Sequence, residues 1–440
     1  MKHYSVLLLL CWLRAGACCG QQVKPQVSFA DVDNFWVAYD SIRSTPDSLQ
    51  QLRYIQRLYI DKGTPGLRAF MEVRNYSGPE WVSLIRRYPR FWSSIRPHTL
   101  RARANAQQLE PQLQRLRQLY PALRPASIYF TVGALRSGGT VQGNKVLIGS
   151  ELATGGPDVD VSEFAPARQA WLRRLYATQP GHNIVPLNVH EYVHTQQKGS
   201  GTTLLGQALY EGTCDLVAEL VTGRPVPLPY MTYGPAHERE LKDKFKVQMY
   251  SPYYLNWFYN QESSNPAHVP DLGYYMGYAI CKAYYNKAKD KRQAVKDLIE
   301  LDCTNQAAAE ALLRASRYYP EPLDKAALLR AYETNRPTVT AVAGLAPDST
   351  LDASVTEIRV DFSQPMGPTT NTELGPGGKP QSPIIGNKGF SADRKSFTYK
   401  VKLEPGRAYH FVLVGNPEGG GFRSTEGYPL KTYAVRFRVR

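Results

Sequence analysis

Once the first twenty residues are passed, the chain has no long apolar run, so no later segment is expected to cross a bilayer as a helix. Cysteine is scarce: there are six in 440 residues, and only Cys214, Cys281 and Cys303 follow Cys19. That excludes a disulfide-stapled scaffold. An odd count allows one disulfide plus one buried thiol, and the sequence does not assign the pair. Runs of one charge are also missing. Lys and Arg number 53 against 38 Asp and Glu, a net charge of +15, but the basic residues are dispersed. This favours solubility and weak attraction to anionic surfaces over a dedicated nucleic-acid groove. Zinc-knuckle, RNP-like and helix-turn-helix signatures are absent, so nucleic acid is not an expected partner.

What is present begins with residues 1–20, which read as a secretory signal. Lys2 and His3 form a basic start, Val6–Leu13 an apolar run too short to anchor, and Ala15-Gly16-Ala17 a small-residue cleavage region. Ala15-Gly16-Ala17-Cys18 also resembles a bacterial lipoprotein box, in which the cysteine behind the cut is lipidated; Cys19 leaves open which cysteine is used. The expected location is outside the cytoplasm, membrane-anchored through Cys18 or, without lipidation, secreted.

Length predicts two to three domains. Residues 21–125 read as a helical region: Val32, Phe35, Trp36 and Tyr39 recur at helical spacing, as do Leu52, Ile55, Leu58 and Tyr59, and Ala104–Tyr120 has an apolar face. These stripes are expected to be core. Past Pro125 the pattern changes. Ile128–Val132 and Lys145–Gly149 read as the two strands of a hairpin with Ser137-Gly138-Gly139-Thr140 as turn material, and an edge strand of this kind can pair with an extended substrate.

The chemistry centres on His190-Glu191-Tyr192-Val193-His194. On a helix, an H-E-x-x-H pattern sets two imidazoles on one face, where both can reach one tetrahedral Zn²⁺. Glu191 then stands beside the metal, where its carboxylate can take a proton from an attacking water. The motif helix is expected to end near Lys198-Gly199. A second helix, about Thr203–Thr222, carries Glu211, Asp215 and Glu219 on one face, which is either solvated or engaged with the site. A catalytic zinc needs a third protein ligand and an open position. Glu211 can supply the ligand if the two helices pack antiparallel, and Asp215, one turn on, can accept the free ring N–H of a ligand histidine.

With those residues in place, the sequence resembles the gluzincin zinc metallopeptidases, the group containing thermolysin and aminopeptidase N relatives. His190, His194 and Glu211 match the ligands, Glu191 the general base and Asp215 the carboxylate behind them. In the aminopeptidase branch a tyrosine on a later helix stabilises the oxyanion. The resemblance implies Tyr274 for that role, in Gly273-Tyr274-Tyr275-Met276-Gly277, with Tyr275 in reserve and His237 a weaker candidate. The motif that holds a free substrate N-terminus in aminopeptidases is not recognisable. The overall plan looks more like that of predicted zinc-protease lipoproteins related to gliding-motility lipoproteins. His98, His182, His268 and His410 lack ligand spacing.

After Asn335-Arg336-Pro337 the chain reads as short alternating strands to its end, with Ile358, Val360 and Phe362 on one inward face and Tyr433, Val435, Phe437 and Val439 on another, which predicts a β-sandwich. Val360–Met366, Ser391-Ala392-Asp393 and Leu403–Gly406 resemble bacterial Ig-like modules, usually spacers or adhesive supports. The expectation is therefore an α+β chain: a signal at 1–20, a helical region at 21–125, a mostly helical metallopeptidase region with a small sheet at 126–334, and an all-β Ig-like sandwich at 335–440. Its expected activity is hydrolysis of peptide or protein substrates with Zn²⁺. The rival readings are a non-catalytic surface binding or assembly protein retaining the fold, and a zinc hydrolase acting on another amide.

Overall fold

The computed structural model describes residues 27–260, 269–345, 349–416 and 420–440. The expected signal with Cys18 and Cys19, and His268, lie outside them. The architecture is α+β: helices and one small sheet up to Asn335, then strands. No described helix is long and apolar enough to cross a membrane.

Helices from Ala30–Arg43 to Leu109–Leu119 build the first layer. Their aromatic stripes point inward as the spacing predicts: Val32, Phe35, Trp36, Tyr39, Ile55 and Tyr59 are buried. The Phe35 ring packs edge-on or tilted against Trp36, Tyr59 and Trp92 at centroid distances of 5.1–5.3 Å. This layer is not a separate body ending at residue 125. Val27–Ser28 is a strand paired in parallel with Ile128–Tyr129, and one core runs continuously from Phe29 to Ile299, taking in the sheet and the motif helix.

The sheet differs from the expected hairpin. Ser127–Thr131 and Lys145–Gly149 pair in parallel, and Gly139–Gln142, expected as a turn, is a strand antiparallel to Lys145–Gly149. The tight turn lies instead at Gly143-Asn144, where Gly143 has φ +57°. That left-handed conformation is cheap for glycine and suits a two-residue hairpin loop. Gly139–Gln142 is consequently one outer strand of the four, with Val27–Ser28 at the opposite edge.

The motif helix spans Ile184–His194 and the next helix Leu204–Thr222. The first stops at His194, short of Lys198-Gly199, and the side chains of the residues that follow, Gln196 and Gln197, are both engaged. Gln196 Oε1 accepts from Arg124 N at 2.8 Å and Gln197 Oε1 meets His194 Nδ1 at 2.7 Å. Tyr192 OH accepts from Ala126 N at 2.8 Å, tying the motif helix to the start of the sheet. The second helix is capped by the Thr203 hydroxyl and ends at Gly223, φ +80°. Its far face joins Leu272–Lys287 in a second core. Gly212 and Gly277 permit close contact there: a Cβ on Gly277 would lie 1.7 Å from Ala208 O, and one on Gly212 2.1 Å from Gly277 C.

Cys214, Cys281 and Cys303 are all buried free thiols, so the disulfide allowed by their number does not form. Beyond Asn335 two four-stranded sheets enclose a third core that includes Ile358, Val360, Phe397, Phe411 and Phe437. Tyr433, expected inside with them, is 36% exposed near the start of its strand. Arg336 docks this unit, donating to the carbonyls of Pro429 and Leu430, each at 3.1 Å.

Candidate metal centre and active-site cleft

His190 and His194, one turn apart on the motif helix, turn their Nε2 atoms to within 3.1 Å of each other. Glu211 reaches them from the neighbouring helix. Its Oε2 lies 3.1 Å from His194 Nε2 and 3.3 Å from His190 Nε2. Ligands about 2.0–2.1 Å from a tetrahedral Zn²⁺ stand about 3.3 Å from one another, so this triangle of two nitrogens and one oxygen fits that ion.

The opposite ring atoms fix the tautomers. His190 Nδ1 is 2.7 Å from Asp215 Oδ1, and Tyr230 donates to the other Asp215 oxygen at 3.0 Å. His194 Nδ1 is 2.7 Å from Gln197 Oε1, and Gln197 in turn donates to Tyr210 O at 2.8 Å. Each Nδ1–H thus has an acceptor, which leaves each Nε2 lone pair for the centre of the triangle. Glu211 Oε1 is held by Gln207 Nε2 and Tyr259 OH, both at 3.1 Å. Glu219, third in the row of carboxylates, is paired with Lys282 at 3.0 Å and accepts from Tyr278. None of the three carboxylates is an unpaired surface charge.

Electrostatics favour positive charge at this point. Burial would lower the His190 pKa, yet Asp215 and Glu211 outweigh it and hold it well above the usual histidine value. For Glu211 burial opposes ionisation, but the two histidines prevail and keep its pKa well below the carboxylate range. Cys214 competes for the third-ligand role, since its sulfur lies within 4.8 Å of ring nitrogens of both histidines. It approaches His194 from the Nδ1 side, at 3.3 Å, away from the Nε2 atoms. Burial, then the neighbouring carboxylates, raise its pKa and keep it a thiol. Glu211 is the better third ligand.

A cleft of about 710 Å³ opens on the centre, with His190, Glu191, Asp215, Tyr230, Tyr259 and Tyr274 on its walls. Glu191 stands against the outer strand: a Cβ on Gly139 would lie 2.7 Å from Glu191 Oε1. The Tyr274 ring lies 6.1 Å from that of His190 and stacks on Tyr230 at 5.2 Å. Burial, then Glu211, push the Tyr274 pKa well up, so its phenol stays protonated. The alternatives point elsewhere. Tyr275 packs on Gly234, and His237 Nδ1 meets Tyr233 O at 2.9 Å.

Sequence reasoning did not reach Gln197, Gln207, Tyr230, Tyr259 or Gly139. Gln197 and Gln207 had a detectable signal, lying three residues after His194 and four before Glu211, within reach along their helices. Tyr259 had none. It sits in a loop at φ +58°, its backbone N–H bound to Asp271 Oδ1 at 2.7 Å.

No family model matches the chain, and no curated protein matches it. Two solved structures of surface-layer protein SbsC align with it, one of its domains 1–6. Identities are 15% and 14% with TM-scores of 0.18 and 0.16. Each alignment covers 63% of this chain and 37% of the surface-layer chain. Similarity at that level carries no argument about fold or activity.

Proposed function

We propose that this protein is an exported zinc-dependent peptidase of gluzincin type, carrying an Ig-like C-terminal module and anchored by a lipid on Cys18. The observation that carries the reading is the convergence of His190 Nε2, His194 Nε2 and Glu211 Oε2 at a cleft whose wall includes His190 and Glu191. Zn²⁺ bound by those three side chains would polarise a scissile carbonyl and acidify a water. Glu191 takes the proton from the attacking water on its carboxylate and returns it to the leaving amine. Tyr274 donates its phenolic proton in a hydrogen bond to the developing oxyanion. Asp215 and Gln197 hold the imidazoles in the tautomer that directs Nε2 inward. The strand Gly139–Gln142, unpaired on one edge among the described residues, offers backbone groups to an extended substrate.

A zinc site kept only for assembly has no use for a carboxylate at Glu191, which favours the catalytic reading over a binding protein. The test joins metal analysis of the purified protein to cleavage of a mixed peptide library. About one zinc per chain is expected, with cleavage lost in Glu191→Gln while the metal is retained. Absence of zinc, or undiminished cleavage by the variant, would refute it.

A further inference from the structure

Beyond Gly139 the cleft wall carries three guanidinium groups, those of Arg74, Arg136 and Arg168. Two are committed to the fold. Arg136 donates to the Glu80 carboxylate and to the carbonyls of Arg74 and Asn75, the latter at 2.7 and 3.2 Å. Arg168 donates to Leu135 O and lies over the Trp171 ring at 3.9 Å. Arg74, the last residue of the helix Pro65–Arg74, is different. It is half-buried, and among the described residues its side chain has neither a hydrogen bond nor an ion pair. Its Nε is buried without a partner. A desolvated guanidinium ordinarily recovers that cost from a carboxylate or carbonyl. Here it lines an open cleft with two more cations on the same wall, an arrangement suited to an anion.

Strand polarity sets which part of a substrate passes this wall. Glu191 stands at Gly139, the first residue of the outer strand, and the cleft lining continues from there through Gly138 and Ser137 to Arg136. An extended chain added antiparallel to Gly139–Gln142 runs, from its N- to its C-terminus, past Gln142, then Gly139, then on toward Arg136. Groups on the C-terminal side of the scissile bond are thereby carried to Arg74.

We propose that Arg74, backed by Arg136 and Arg168, forms a subsite for a carboxylate on the C-terminal side of the scissile bond, so that the cleft selects acidic peptides. The proposal rests on the peptidase reading. Either an acidic side chain or a free C-terminus presents the same two oxygens to the guanidinium fork.

Binding tests the subsite apart from turnover. The zinc-loaded Glu191→Gln protein is titrated by fluorescence anisotropy with one labelled peptide series. The members carry Glu or Gln on the C-terminal side of the cleaved position, each as free acid or amide, and a control carries Glu on the N-terminal side only. A member bearing a carboxylate is expected to bind about tenfold tighter than the Gln amide, with the advantage shrinking at high salt. The free-acid/amide pair and the Glu/Gln pair identify which carboxylate is read. Adding Arg74→Met should bring the series within about twofold, and Arg74→Lys should restore part of the preference. Because the Arg74 side chain bonds to nothing among the described residues, the thermal midpoint should not fall. Equal binding across the series, a preference that survives Arg74→Met, or one produced by Glu on the N-terminal side would overturn the proposal. If the parent cleaves peptides without regard to charge, the subsite fails and the peptidase reading stands. If the carboxylate preference appears but the parent cleaves nothing, the peptidase reading fails and Arg74 remains a carboxylate-binding site.

Discussion

Gly139 and Glu191 share one small volume: the place of a Cβ on Gly139 is 2.7 Å from Glu191 Oε1. The missing side chain lets the carboxylate stand against the outer strand in the cleft beside the candidate metal centre. In Gly139→Val the carboxylate, at the free end of a flexible side chain, must swing aside while the backbone stays. A displacement of about 1 Å at a reacting group can cost about 10²-fold in rate, so kcat/KM for peptide hydrolysis is expected to fall by about that factor. Zinc content and thermal midpoint should match the parent. Unchanged kcat/KM would show that Glu191 does not depend on this clearance.

Asp215 supports His190 and Tyr259 supports Glu211, and the effects of their loss on the proposed zinc site should be unequal. Asp215 is fully buried and accepts from both His190 Nδ1 and Tyr230. Removing such a partner commonly lowers metal affinity about 10- to 100-fold, so competition against a chelator should show Asp215→Asn in that range. Tyr259→Phe should weaken zinc binding less, because Gln207 still donates to Glu211 Oε1 at 3.1 Å. Equal losses would mean that Gln207 does not hold Glu211 by itself.

The contact between Gly212 and Gly277 makes the position of Glu211 a matter of packing. A Cβ on Gly277 would meet the Ala208 carbonyl at 1.7 Å, and backbone cannot step aside as a side chain can. Gly277→Ala must part the two helices. Overpacking of this kind costs about 1–3 kcal/mol or more, so calorimetry should record a lower thermal midpoint, accompanied by weaker zinc retention. A variant with both properties intact would show that the helices are free to slide.

The candidate ligand cluster was legible because both of its halves are local on helices. The one-turn spacing of His190 and His194, and of Glu211 and Asp215, fixes which side chains share a face before any tertiary structure is known. The inward faces of the C-terminal strands, such as Ile358, Val360 and Phe362, were legible for the same reason at a period of two. The outer strand was not. Ser137-Gly138-Gly139-Thr140 has turn composition, and its glycine serves clearance for Glu191, a requirement visible only once the motif helix lies beside it. Tyr259 reaches Glu211 across 48 positions of sequence from a left-handed loop residue, and no local periodicity reports that. Val27–Ser28, too short to read as a strand, adds a parallel pairing with Ile128–Tyr129 to the core that joins the first helical layer to the sheet.

Glu151 gives the outer strand's approach loop a pH dependence. Its fully buried carboxyl accepts from Gly133 N at 2.8 Å and Leu135 N at 3.0 Å, and Leu135 is left-handed at φ +62°. Burial is the largest influence and raises its pKa from the ordinary 4.5 to about 7, against the pull of those two N–H groups. Between these values the folded protein keeps a proton that the unfolded chain has released, so folding stability falls as pH rises. The contribution is complete below the unfolded value and is lost as pH passes through the folded one. Over that window it amounts to about 3 kcal/mol. Urea midpoints of the zinc-saturated protein at pH 5 and pH 8 should therefore favour pH 5 by more in the parent than in Glu151→Gln, where the titrating group is gone. Identical pH dependence in the two proteins would remove Glu151 as its source.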